Sequence, residues 1–180
     1  MVPVTRPPIE DGAVAVRAGF ITAVGPARDV FGDRVDDLGD VALVPGFVNA
    51  HTHFELSHLG GRIPTDQGFV PWVEGLARVL RAGGDADPSV REAVRSAIRQ
   101  SLAAGVTAVG DVTRQPGLVR PMFAAGAIRV VSFGEVLGIG RLRKNLPAKL
   151  AAAVDSSAVT DRLRIGVSPH EPYTLEPDGL

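Results

Sequence analysis

The chain has 180 residues, 45% of them apolar, and a mean hydropathy of +0.16, so it has the length and composition to bury a core. Its 19 basic and 20 acidic residues nearly cancel. The basic ones are almost all arginine, only Lys144 and Lys149 being lysine, with no dense basic tract, which argues against nucleic acid or an anionic membrane as partner. There is no cysteine, which removes disulfides, thiolate zinc sites, iron–sulfur clusters and cysteine nucleophiles together, so any metal must sit on His, Asp or Glu.

Met1 to Glu10 carries three prolines and lacks the basic start, apolar run and small-residue cleavage site of a signal peptide. Apolar stretches such as Val41 to Val48 are far shorter than the roughly 20 residues of a membrane helix. No membrane span and a cytoplasmic location are expected. Gly12 to Val24, with alternating Val14 and Val16, a break at Ala18-Gly19 and a second run through Ile21 and Val24, predicts a β-hairpin. Asp36 to Val44 then leads into the apolar run VALVPGFVNA, read as a buried strand after the Pro45-Gly46 break.

Beyond residue 50 strands and helices alternate. Phe69 to Val73 is read as an excursion after the first strand, where Trp72 either walls a pocket or simply packs. Pro88 to Ala104 predicts a helix capped by Asp87, with Val90, Val94, Ala97, Ile98 and Leu102 on one face and Gly105 as its stop. A strand at Val106 to Val112, a short helix at Leu118 to Ala125, a strand at Ile128 to Leu137, a helix from Pro147 to Val159 and a strand at Leu163 to Val167 follow. Such alternation argues for parallel strands with helical crossovers, either a barrel or a doubly wound sheet. The latter loses weight because no Gly-x-Gly-x-x-Gly or phosphate loop follows a strand. About four strand–helix units follow Gly46, whereas a complete eight-fold barrel typically takes about 250 residues.

The sharpest chemical feature is Pro45-Gly46-Phe47-Val48-Asn49-Ala50-His51-Thr52-His53. Positions i and i+2 of a strand share a face, so both imidazoles can reach one ion at the strand's carboxyl end. Neutral imidazole suits zinc, iron or nickel. The bland alternative is a pair of polar residues in an exposed loop. Glu55 and His58 are either partners that orient a ligand ring or ordinary loop polars. Asp111 and Glu135, near the ends of the next two strands, either line a pocket rim or pair structurally.

PGFVNAHTHFELS and GVSPHEPYT (Gly166 to Thr174) together resemble the first- and fourth-strand motifs of the amidohydrolase superfamily, in its branch of metal-dependent deaminases and chlorohydrolases. The similarity runs through the whole chain and feels closest to methylthioadenosine/S-adenosylhomocysteine and aminodeoxyfutalosine deaminases. Glu171 stands where the fourth-strand motif usually has Ala. The resemblance implies an α/β fold: part of a small β-sandwich over residues 1–45, then the first four or so units of a (β/α)8 barrel over 46–180. His51 and His53 match two metal ligands, and His170 matches a substrate-contacting histidine. Arg141, in Gly140-Arg141-Leu142, is a weaker match to a substrate-binding arginine, the alternative being a solvated basic loop with Arg143 and Lys144.

The implied cofactor is one divalent metal ion, zinc with iron as the alternative, and the implied partner a small heterocyclic substrate. In this branch a further histidine and an aspartate ligate from later strands, and another histidine handles the proton, so the catalytic residues of the parent enzyme are expected past Leu180. The rival expectation is an inactive fragment or split half. An open half-barrel exposes an unpaired strand at each edge and an apolar interior, which favours association, a homo-oligomer among the outcomes.

Overall fold

The computed structural model describes residues 1–83 and 88–175 and shows a mixed α/β chain of two compact units, Met1–Gly46 and Phe47–Leu180. The expected cap Asp87 and the segment 176–180 lie outside the described residues.

The first unit is built on the expected hairpin, β1 (Gly12–Arg17) antiparallel to β2 (Phe20–Pro26). Ala18 and Gly19 both take positive φ, +49° and +81°, which matches the right-handed twist of the strands they join. The register slips between Ala15 and Val16, and the extra residue Thr22 turns its hydroxyl onto the Ala15 carbonyl, 3.3 Å away. No further strand joins the pair among the described residues, and none of residues 1–46 is buried.

The second unit is a four-stranded parallel sheet in the order β3 (Phe47–Thr52), β4 (Val106–Thr113), β5 (Arg129–Val136), β6 (Leu163–Pro169). Strand order follows chain order without reversal, as it does among consecutive strands of a barrel. The crossovers carry α1 (Phe69–Gly83) and α2 (Pro88–Ala103), then α3 (Pro116–Ala124), then α4 (Leu146–Val154). Val109, Val130 and Leu163, side by side in register, pack with Val90 and Val94 of α2 and Val119 and Phe123 of α3. Alternation then puts Asp111, Ser132 and Gly134 on that same helix-covered face. The opposite face is concave, with Phe133 lying across Gly110 and Gly166, where an added Cβ would meet its ring at 3.6 and 2.6 Å.

Three expectations change. The apolar run at Phe47 is a strand, but not a buried one. β3 is an edge strand among the described residues, and Phe47 and Val48 are 59% and 68% exposed. The segment around Trp72 is a helix, because Pro71 falls in its first turn, where a missing N–H costs nothing. α4 stops at Val154 instead of Val159, since Asp155 turns extended (ψ 116°) and its carboxylate accepts both the N–H and the hydroxyl of Ser157. Arg120, buried on α3, then gathers the carbonyls of Ala152, Ala153 and Asp155 at 3.1, 2.7 and 2.9 Å, closing the end of α4. Among the described residues no helix is long and apolar enough to cross a membrane.

Candidate functional site

The carboxyl ends of four parallel strands share one rim, and the candidate residues lie along it. His51 is near the end of β3 and His53 directly after it. Arg141 is exposed in the 3-10 turn Gly140–Asn145 that follows β5. His170 directly follows β6, at the sheet's other edge.

The histidine pair owes its facing to an irregularity in β3. Val48 pairs with Ala108 and Asn49 with Val109, yet Thr52 pairs with Asp111, so Ala50 and His51 together oppose Gly110. This bulge keeps Asn49 and Thr52 in line with the helix-facing residues of β4 and turns His51 toward the concave face. Gly110 answers it, since an added Cβ there would lie 2.4 Å from the Ala50 carbonyl oxygen. The rings of His51 and His53 meet edge to face with centroids 5.2 Å apart. The Nδ1 atom of His53 is buried and has no hydrogen-bond partner. Among the described residues no group of three or more His, Asp or Glu side chains gathers to hold an ion.

Two buried carboxylates fasten the turn that leaves this pair. His53 caps the 3-10 turn Phe54–Leu59, and the Phe54 N–H donates to Asp111 Oδ1 at 2.9 Å. Glu55 accepts the Thr113 hydroxyl at 2.6 Å and the Arg114 N–H at 3.0 Å, while Thr113 Oγ1 accepts the Gln115 N–H at 3.1 Å. Phe54 itself packs on Phe123, with ring centroids 5.9 Å apart. Burial, reinforced by the charge of Glu55 and opposed by the Phe54 N–H, pushes the Asp111 carboxyl up to about 7. Its Oδ2 is buried without a partner.

Glu55 therefore holds backbone and hydroxyl of the neighbouring strand and not a histidine ring. His58 faces its own turn, its Nδ1–H donating to the Glu55 carbonyl at 2.9 Å. Asp111 is buried under the rim on the helix-covered face, whereas Glu135 is buried at the end of β5, beside Ser168 on the concave face. Trp72 stacks on Phe69 with centroids 6.1 Å apart. His170 anchors its backbone on the Val136 carbonyl at 3.1 Å. Its Nδ1 lies 3.3 Å from the Thr174 hydroxyl, and that hydroxyl donates to the Glu171 carbonyl at 2.8 Å. Thr174 Oγ1 also accepts the Glu171 N–H at 3.0 Å, so the exposed ring of His170 is steadied on the rim by a turn that closes on itself.

Residues 42–180 match the amidohydrolase family. The chain belongs to this family. It is 30% identical over 190 residues to the 5-methylthioadenosine/S-adenosylhomocysteine deaminase of Nitratidesulfovibrio vulgaris, covering 97% of this chain and 41% of that one. It is 31% identical over 138 residues to the adenosine deaminase of Helicobacter pylori, covering 76% of this chain and 32% of that one. Among solved structures, H. pylori aminofutalosine deaminase in complex with methylthio-coformycin aligns with a TM-score of 0.63 at 26% identity over 75% of this chain and 32% of that one. The E241Q mutant of atrazine chlorohydrolase TrzN from Arthrobacter aurescens, complexed with zinc and atraton, aligns with a TM-score of 0.61 at 18% identity over 88% and 42%. The latter shows a shared fold. The chain spans about two fifths or less of the length of these relatives. The resemblance read from the two histidine motifs is thus borne out, with deaminases as relatives in sequence and in structure.

Proposed function

We propose that this chain is the amino-terminal portion of a metal-dependent amidohydrolase that hydrolytically deaminates a purine nucleoside or related heterocycle. The observation that carries the reading is the His51–His53 pair, turned by the β3 bulge to the concave face at the carboxyl rim of a parallel sheet. In this reading the sheet is the first half of a (β/α)8 barrel over residues 46–180, and the hairpin is part of a β-sandwich over 1–45.

The donor set fits a divalent ion of borderline softness, zinc first and iron second: two imidazoles, no thiolate, and a buried His53 nitrogen for which the fold itself supplies no partner. When bound, such an ion supplies Lewis acidity that makes water nucleophilic at neutral pH. His51 and His53 hold it, the first on β3 and the second where the following turn begins, both positioned by the fold. His170 offers its exposed imidazole to the heterocycle, and Arg141 offers a planar set of donors to its polar substituents. Two imidazoles fall short of the three protein ligands of a catalytic zinc, so the remaining ligands and the proton-handling groups belong to the rest of the whole protein.

The test uses the native protein as its source makes it. Ammonia release from adenosine or methylthioadenosine is expected, lost with a chelator, restored by zinc, and absent in His51→Ala and His53→Ala. Chloride release from a chlorotriazine without deamination would shift the reading to the chlorohydrolase chemistry of the TrzN relative. Undiminished turnover in both histidine variants would overturn it.

A further inference from the structure

We propose that Glu55 and Asp111 are positioning residues for the histidine pair, a carboxylate clamp that fixes the His53 turn on the end of β4. The proposal rests on the metal-site reading of that pair. His53 lies just past the end of β3, and its ring nitrogen Nδ1 has no hydrogen-bond partner, so beyond its edge contact with His51 the ring is held by whatever holds the backbone on either side of it. On the far side that backbone is fixed twice within two residues. The Phe54 N–H ends on Asp111 Oδ1, and the Glu55 side chain reaches across to the Thr113 hydroxyl and the Arg114 N–H.

Glu55, Asp111 and Thr113 are all buried, so water does not compete for these bonds and they act at low dielectric. A carboxylate fits the task at position 55 because it accepts two hydrogen bonds at once and carries no donor of its own to satisfy. The Thr113 hydroxyl passes the restraint on to the Gln115 N–H at the head of α3. The ligand turn, β4 and α3 are thereby tied into one unit, and small rotations of the His53 ring are resisted before any ion arrives.

The experiment uses the complete native protein and the variants Glu55→Gln, Asp111→Asn, Thr113→Val and Thr113→Ser. Zinc affinity is read by competition with a chromophoric chelator, the visible spectrum of the cobalt-substituted protein reports ligand geometry, and melting of the metal-free protein reports the fold. Glu55→Gln and Thr113→Val are expected to weaken zinc about 10-fold or more and to alter the cobalt spectrum, while the metal-free protein still melts cooperatively. Thr113→Ser, which keeps the hydroxyl, is expected to restore both. Should Glu55→Gln not fold, the Thr113 pair decides alone. Unchanged affinity and spectrum in the variants, whatever their melting temperatures, would overturn the clamp and leave the metal site standing. A wild-type protein that takes up neither zinc nor cobalt would overturn the metal-site reading itself, and the clamp with it.

Discussion

Thr52 stands beside Asp111 although Asn49 stands beside Val109, so β3 carries one residue more than β4 over the same span. That extra residue turns His51 to the concave side and lays the Ala50 carbonyl over Gly110. A methyl group at position 110 would have to displace backbone, not a side-chain tip. Gly110→Ala is expected to cost about 1–3 kcal/mol in urea denaturation and to weaken metal uptake by displacing the strand that carries the pair. A neutral result in both measurements would mean that β3 yields without moving His51.

Asp111 sets a pH dependence for the metal-free protein. Its carboxyl titrates near 7 when folded and near its ordinary value when unfolded, so between those limits the folded state binds the extra proton. The stability it contributes is complete below the ordinary value and is lost as pH rises through about 7. The full swing is on the order of 4 kcal/mol at about 1.4 kcal/mol per unit. Urea midpoints taken with a chelator from pH 4.5 to 8 should fall in the wild type and stay flatter in Asp111→Asn. Parallel profiles would refute the assignment.

Arg120 is a stability prediction. Its guanidinium serves Ser132 and three carbonyls at the end of α4, and burial pulls its pKa below the ordinary value while the Asp155 charge opposes this. Arg120→Met keeps much of the volume and strands those acceptors in a buried site, which should cost about 3 kcal/mol. Lysine should recover little, because one ammonium cannot reach acceptors spread around the whole fork of a planar guanidinium. The check is denaturant unfolding of wild type, Arg120→Met and Arg120→Lys side by side.

His170→Ala, assayed in the complete protein, should raise KM about 10-fold with a smaller change in kcat, as expected of a group that binds substrate without moving its proton. An equal loss in kcat and kcat/KM would instead give His170 a part in the chemical step.

Much of this was legible in the sequence, and the parts that were not have physical causes. The hairpin, the helix beginning at Pro88 and the strands from Val106, Ile128 and Leu163 follow from periodicity and from Gly and Pro punctuation. The start of α1 was hidden, Phe69 to Val73 having the look of an excursion, although Pro71 lies in the helix's opening turn, where it costs no hydrogen bond. The early end of α4 depends on a side-chain bond from Asp155 to Ser157, which competes with the helix and leaves no trace in the hydrophobic pattern. At the site, the spacing of His51 and His53 announced the pair, but not the bulge that aims it, since register exists only between two strands. Glu55 and Asp111 stood out as polar residues beside a motif. Their partners, Thr113 and the Phe54 N–H, lie more than fifty positions away in the chain.

The side-chain bonds that fasten the His53 turn tie residues 54 and 55 to 111–114, and α2 packs against them through Val90 and Val94. The pair is thus a prefabricated corner whose dimensions are set before the other walls are raised. Loops elsewhere around the rim can lengthen, shorten or change polarity to suit a different ring without recalibrating it, and variation in specificity should accumulate there while this corner keeps its form.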